Sequence, residues 1–551
     1  MTTLDWFVML GTLASIVIYG VYVSLRSSSG EGFLRGSDQS WFTMGVSVMA
    51  TQASAITFLS APGLGYESGL RFVQFYFGLP LAIVVVCAFF VPMYYRMNVY
   101  TAYEYLEKRF DLRMRLFTAS LFLLQRGLAA GITIFAPAII LSTILGWDLR
   151  LTNILVGSLV IVYTLSGGTK AVSITQKYQM GVILLGLVFS GVLLYREIAP
   201  HMSFLDTLFF AGEMGRMQVL DFSFSATERY TVWSGLTGGF FLSLSYFGTD
   251  QSQVQRYLGG KSVDESRAGL LFNAVLKIPM QFSILFIGVL VFVFFTIERP
   301  PLHFNQAAVA KLSPEAAAKV ADLESDFTKV HADIQLSREN WLSDRSRTTE
   351  LKKSMMAEQL LRQEVVDIIE LEQVKAKDTN YVFLYFVLEH LPKGVVGLII
   401  AMILSAAMSS TAGELNALTT TTVVDYHRRL GGGGAPMTVN RLYTLFWGVL
   451  AIIFALSASL FDNLIEMVNL LGSLFYGTIL GVFLVAFFLK KVKAKAVFSA
   501  ALASQVSVLV IHSLTYLEWI SGVGYLWYNL IGCVMVVSLS TLQQSTHRNG
   551  E

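Results

Sequence analysis

The sequence predicts an all-α polytopic membrane protein with about thirteen transmembrane helices, and three observations predict it. Of the 551 residues, 54% are hydrophobic and only 14% are charged, too few charges to coat a water-soluble surface. Apolar runs of about 20 residues, the helix length that crosses the hydrocarbon of a bilayer, recur from end to end. Basic residues collect in every second connection between these runs. The net charge of +2 provides no electrostatic footprint for nucleic acid. Cys87 and Cys533 both fall in apolar runs, which argues against a disulfide framework and against a thiolate metal centre.

The first span is expected over 5–25. The opening MTTLDWFVML has no basic leader and no small-residue cleavage site, so it is read as the start of that span. The second, 41–66, is interrupted by small and polar residues (MATQASAITFLSAPGLG). Further spans are expected over 72–97, 115–145, 151–166, 178–195, 232–249, 269–297, 395–424, 443–461, 464–489, 497–516 and 520–542. Alternate connections hold Arg96, Lys108, Arg109 and Arg113, then Lys170 and Lys177, then Arg256, Lys261 and Arg267, then Arg428 and Arg429, then Lys490 to Lys495. The positive-inside rule makes these cytoplasmic, which places the N-terminus outside and the C-terminus in the cytoplasm of a cell-membrane protein.

Three sections follow: 1–299 with the first eight spans, a polar insertion over 300–380, and 381–551 with the last five. In the insertion Leu323, Phe327, Val330 and Ile334 repeat at helical spacing, as do Leu351, Met355, Leu361, Val365 and Ile368. An amphipathic hairpin on the extracellular face is expected, as a structural cap or as a seat for an extracellular partner.

The stretch 405–425, SAAMSSTAGELNALTTTTVVD, is small and hydroxyl-rich inside an apolar span. Such a face packs against another helix or binds something polar. Ala406 lies one turn before Ser409 and Ser410, so one carbonyl and two hydroxyls share a face. In the interrupted second span Ala50 and Ala53 are three apart, where an unwound helix would free their carbonyls beside a cavity. Together they make five neutral oxygens. That set suits a weakly held monovalent cation better than calcium, which recruits carboxylates.

With MATQASAITFLSAPGLGY, YTLSGGTKAV, GTDQSQVQRYLGGKS and LPKGVVGLIIAMILSAAMSSTAGELNALTTTTVVDY in view, the chain resembles the sodium:solute symporters, the family of the sodium/glucose, iodide and multivitamin carriers. The likeness covers roughly 45–490 apart from the insertion. It implies a LeuT-type core of two inverted five-helix repeats, with one span before it and two after. It also implies that Ala50, Ala53, Ala406, Ser409 and Ser410 hold Na+. Relatives with a second sodium site tend to carry an acid after the threonine of the YTLSGGTKAVSIT motif and hydroxyls further along the serine helix. Here Gln176, Ala412 and Gly413 stand at those places, so one sodium per solute is expected.

The solute positions carried over from sugar-binding relatives fall on Gln52, Ile56, Thr57 and Tyr76, a set poor in polar groups for a polyol. The iodide, multivitamin and monocarboxylate branch is the better match. Arg126 lies about 16 Å along its helix from Arg115, inside the bilayer. It either snorkels back to the cytoplasm or faces the cavity as a counter-ion or anion contact, and Lys277 invites the same two readings. Asp250, near the end of a glycine-rich span, either contacts solute or caps the helix that follows. Glu414 is expected to pair with a neighbour rather than to bind sodium.

Sodium-coupled import of a small solute (an organic anion, a vitamin, a monocarboxylate or a sugar-like molecule) is therefore expected. A membrane-embedded enzyme is disfavoured, because the seven histidines are scattered and neither H-E-x-x-H, a nucleophile elbow nor a P-loop occurs. A receptor with the insertion as ligand domain is disfavoured by the short tail after Leu542.

Overall fold

The structure, a computed structural model, describes residues 1–25, 39–225, 227–374, 376–433, 436–457, 463–520 and 522–548. Its elements are helices, as lipid demands, since every backbone donor and acceptor must be satisfied within the segment. Helix α1 is Thr3–Leu25. The interrupted second span is two helices, α2 (Trp41–Gln52) and α3 (Ala55–Ser68). The next span is α4 (Leu79–Val85), a π-helical turn over Val86–Phe90, and α5 (Val91–Met97). A short α6 (Ala102–Arg109) leads to α7 (Leu112–Leu145), whose first turn is capped by Asp111, accepting from the Met114 amide at 3.0 Å.

Helix α8 runs Leu149–Ile198, 50 residues, where two spans were expected. At 1.5 Å per residue this is about 75 Å, more than twice a bilayer core. Its apolar stretches Leu149–Leu165 and Thr175–Ile198 correspond to the two spans, and the side chains between them, Lys170 included, lie outside the described residues. Helices α9 (Phe204–Glu213) and α10 (Val232–Leu236) precede a second interrupted span, α11 (Gly238–Thr249) and α12 (Gln251–Tyr257). Then come α13 (Val263–Phe294), α14 (Gln306–Val309), the hairpin α15 (Pro314–Ser343) and α16 (Thr348–Leu371), and α17 (Val382–His390). The chain closes with α18 (Val395–Thr421), α19 (Met437–Ser457), α20 (Leu464–Phe488), α21 (Ala494–Tyr516) and α22 (Trp527–Arg548). Among the described residues, eight helical stretches are long and apolar enough to cross a membrane, and Thr3–Tyr19 and Leu149–Leu165 are shorter apolar helices.

Helix α18 is the axis of the bundle. It packs on α1, α7 and α8 and also touches α2, α3 and α12, so both interrupted spans meet it. Helices α3 and α13 touch backbone to backbone: a Cβ on Gly65 would overlap the Leu285 carbonyl, and one on Gly288 the Pro62 carbonyl. Without a hydrophobic drive between helices in lipid, such close approach is a main source of association.

The α15–α16 hairpin has its own core of Phe327, Val365 and Ile369. It stands on one end of the bundle through Trp341, 1% exposed, set edge-on to Phe210 of α9. Arg338 donates to the Thr296 carbonyl just past α13 at 2.7 Å. The strand of chain returning from the hairpin touches α3: Ser60 donates to the Asn380 amide oxygen at 2.6 Å, and the Thr379 hydroxyl donates to Glu67.

Candidate ion and solute site

Two backbone breaks build the site. Between α2 and α3 the chain leaves helical geometry at Ala53 (φ −82°, ψ 71°) and Ser54 (φ −82°, ψ 166°). The break lies upstream of Pro62, and α3 runs on through that proline. The uninterrupted small residues ATQASA let neighbouring helices close over the freed carbonyls, and Ala50 and Ala53 are fully buried. Between α11 and α12 the break falls at Asp250 (φ −78°, ψ 119°), whose carboxylate accepts from the Ser252 amide at 2.8 Å and from its hydroxyl at 2.6 Å. Asp250 is thus the cap of α12.

At the first break α18 brings its serine face against α2. The Ser409 hydroxyl donates to the Ala50 carbonyl at 3.4 Å, and the Ser410 hydroxyl donates to the Ala406 carbonyl at 2.6 Å. Ala406, Ser409 and Ser410 are buried to within 1% of exposure. Each hydroxyl oxygen keeps lone pairs free while it donates, so the two serine hydroxyls and the carbonyls they meet can offer oxygens to a small cation. The set contains no carboxylate, and the ligands span a helix break and a second helix.

Next to this set lies Gln176, which is buried. It accepts from Ser47 at 2.5 Å and donates to the Thr51 hydroxyl at 3.1 Å and to the Ser409 carbonyl at 3.2 Å. Ala412 packs with Tyr163, and a Cβ on Gly413 would come within 2.9 Å of the Arg256 guanidinium.

A central cavity of about 130 Å³, lined in part by Ser410, adjoins this set of oxygens. Gln52, Thr57, Tyr76 and Arg126 all line it, with Ile56 and Ser410. Asp250 does not. It stands behind Arg126, which it pairs with directly. Arg126 also reaches Glu414 at 3.1 Å and the Tyr476 hydroxyl at 2.6 Å, and Tyr476 donates to Asp250 at 2.6 Å. Glu414 in turn accepts from Thr133 at 2.8 Å. Arg126, 3% exposed, therefore does not snorkel: its charge is held inside by two carboxylates. Gln52 is braced by donating to the Val48 carbonyl at 3.1 Å and to Asn273 at 3.2 Å. Ser243, Tyr246, Asn469 and Tyr476 also line the cavity and carry no sequence-level flag, because a lone hydroxyl or amide in a span is ordinary. Lys277 lines it too, which decides between its two readings.

The profile of the sodium:solute symporter family matches residues 33–318 and 356–504, and the unmatched 319–355 fall within the hairpin. The sodium/sialic acid symporter NanT of Aliivibrio fischeri is 25% identical over 99% of this chain and 94% of its own length. The human sodium/iodide cotransporter is 32% identical over 50% of this chain, which spans only 43% of that longer protein. A solved structure of a Na+-coupled sialic acid symporter, in a substrate-bound outward-open state, superposes with a TM-score of 0.75 at 24% identity, covering 99% of this chain and 98% of the other. That likeness shows a shared fold, the LeuT-type core. With a family match over most of its length, this chain belongs to the sodium:solute symporter family, a family of transporters and not of enzymes.

Proposed function

We propose that the chain couples the entry of sodium to the import of a small solute by alternating access. Sodium is held by the carbonyls of Ala50, Ala53 and Ala406 and the hydroxyls of Ser409 and Ser410. The solute sits in the adjoining cavity against Gln52, Thr57, Tyr76 and Arg126, and Asp250 serves it by fixing Arg126. The observation that carries this reading is the Ser409 hydroxyl against the Ala50 carbonyl at a helix break. An ion bound there ties α18 to the hinge of α2 and α3, so sodium selects one arrangement of the two helices and shapes the cavity they border. Gln176, Ala412 and Gly413 support one sodium per cycle. The relatives' names point to iodide, monocarboxylate and sialic acid as cargo. The basic connections support an outside N-terminus, a cytoplasmic C-terminus and an insertion on the extracellular side, as a cap.

Thermal unfolding of the purified protein, with sodium exchanged for potassium at fixed ionic strength, tests the ion site. Sodium is expected to raise the midpoint, and Ser409→Ala to need roughly tenfold more sodium for the same rise, about 1.4 kcal/mol. Equal sodium responses in the two proteins would sink the assignment.

A further inference from the structure

We propose that the solute is a monovalent anion and that Lys277 is the group that holds its charge, an inference that rests on the sodium-coupled reading above. Lys277 comes from the middle of α13, is 3% exposed and lines the cavity. Among the described residues it has no ion pair and no hydrogen bond, and its ammonium lies 5.7 Å from the centroid of the Tyr76 ring. Arg126, which lines the same cavity, is the opposite case, because it is bound by both Asp250 and Glu414. Those two acids are spent on the arginine, and neither is left for the lysine.

The buried charges make the same point. Arg126 and Lys277 balance Asp250 and Glu414, so these four sum to zero. A sodium in a set of neutral oxygens adds one positive charge that these four do not offset. In a space walled from water an uncompensated charge is expensive, and a neutral solute would leave this excess untouched. A monoanion on Lys277 offsets the sodium charge at the moment both are enclosed. Each ligand then favours the other electrostatically, which is a coupling free energy between their sites.

The remaining lining fits a small acid with a flat or apolar body. Phe75, Tyr76 and Leu79 supply apolar surface, Gln52 and Thr57 supply hydrogen bonds, and Tyr76 stands between the apolar wall and the ammonium. A carboxylate on a short chain or ring takes its two oxygens to Lys277 and its body to the aromatic side.

The test uses the full chain in detergent, in sodium or potassium sulfate so that no chloride competes. The probes are pyruvate, propionate, nicotinate and iodide, with propionamide and nicotinamide as neutral counterparts. Wild-type protein is expected to be stabilised by at least one anion in sodium and not by its neutral counterpart. Lys277→Gln should weaken that anion's binding at least tenfold and keep the sodium-induced rise in midpoint, and Lys277→Arg should restore part of the anion affinity. The proposal is overturned if no anion binds wild type more tightly than Lys277→Gln, or if the amides bind as well as the acids. Anion binding that depends on Lys277 but is indifferent to sodium, with no sodium response in any variant, would instead remove the sodium-coupled reading and leave the anion site standing.

Discussion

The two helix breaks are the same backbone device put to opposite electrostatic uses. At Ala53–Ser54 the residues are small and neutral, and the Ala50 carbonyl just before the break accepts from the Ser409 hydroxyl. At Asp250 the break is sealed by charge, with Arg126, Tyr476 and Ser252 all on one carboxylate. An open break can exchange its partner for an ion in every cycle. A sealed break cannot do so without stranding a charge in a dry interior, so it holds the wall of the cavity in place. On the proposed reading the difference assigns motion and rigidity: the break with neutral oxygens serves as the hinge, and the ion-paired break as the fixed wall.

The comparison breaks most severely at the sealed side. Arg126→Met leaves Asp250 and Glu414 buried without their cation and is expected to cost about 3–5 kcal/mol of stability, read as thermal unfolding of the purified protein. The combination with Asp250→Asn and Glu414→Gln should recover most of that loss, because the stranded charges are gone; no recovery would mean that Arg126 supports the wall by packing alone. At the open side, Ser409→Ala with Ser410→Ala should leave stability within about 1 kcal/mol and raise the sodium needed for half-maximal uptake roughly a hundredfold, about 2.8 kcal/mol. A loss of folding instead would show that the serine face is structural.

Smaller effects sharpen the picture. The ends of the hairpin meet where Ser313 donates to Glu372 at 2.7 Å, so 314–371 can be replaced by a short Gly-Ser linker. If the hairpin is a cap, uptake by correctly inserted protein should change less than about twofold. A larger loss would give it a part in the cycle through Thr379, Asn380 and α3. Smallest of all, Gln176→Asp should leave the sodium dependence of uptake with a Hill coefficient of one, since Ala412 and Gly413 still supply no hydroxyl. A coefficient approaching two would show that the acid alone builds a second site.

Much of this was legible in the sequence because it is local. Ala50 and Ala53, and Ala406 with Ser409 and Ser410, are spaced by one helical turn, and spacing alone puts them on shared faces. The hairpin likewise announced itself through Phe327 and Ile334 at helical period. The break falls at Ala53–Ser54, beside the two alanines whose carbonyls the sequence marked, but the helix that covers it, α18, is remote in sequence and joins it only through the fold. The Arg126–Asp250–Glu414 cluster could not be read at all as a unit, because its members are separated by 124 and 288 positions and meet only through the fold. Each was noticed singly as a charge in lipid, and each had two readings until its partner was in place. Lys277 differed from Arg126 by nothing in its local sequence; what separates them is that one is answered by acids and the other is not.

The proposed single sodium per cycle has a consequence for energy supply. A carrier that moves one sodium with one monoanion transfers no net charge in a full cycle. The membrane voltage, worth about 2.3 kcal/mol per elementary charge at 100 mV, then neither drives nor opposes it. Accumulation is limited to the sodium concentration ratio itself, about tenfold for each 1.4 kcal/mol of sodium gradient. On the proposed reading, the lack of a second set of oxygens around Gln176, Ala412 and Gly413 would thus decide how steeply a cell can concentrate this solute, and would leave uptake undisturbed when the membrane depolarises.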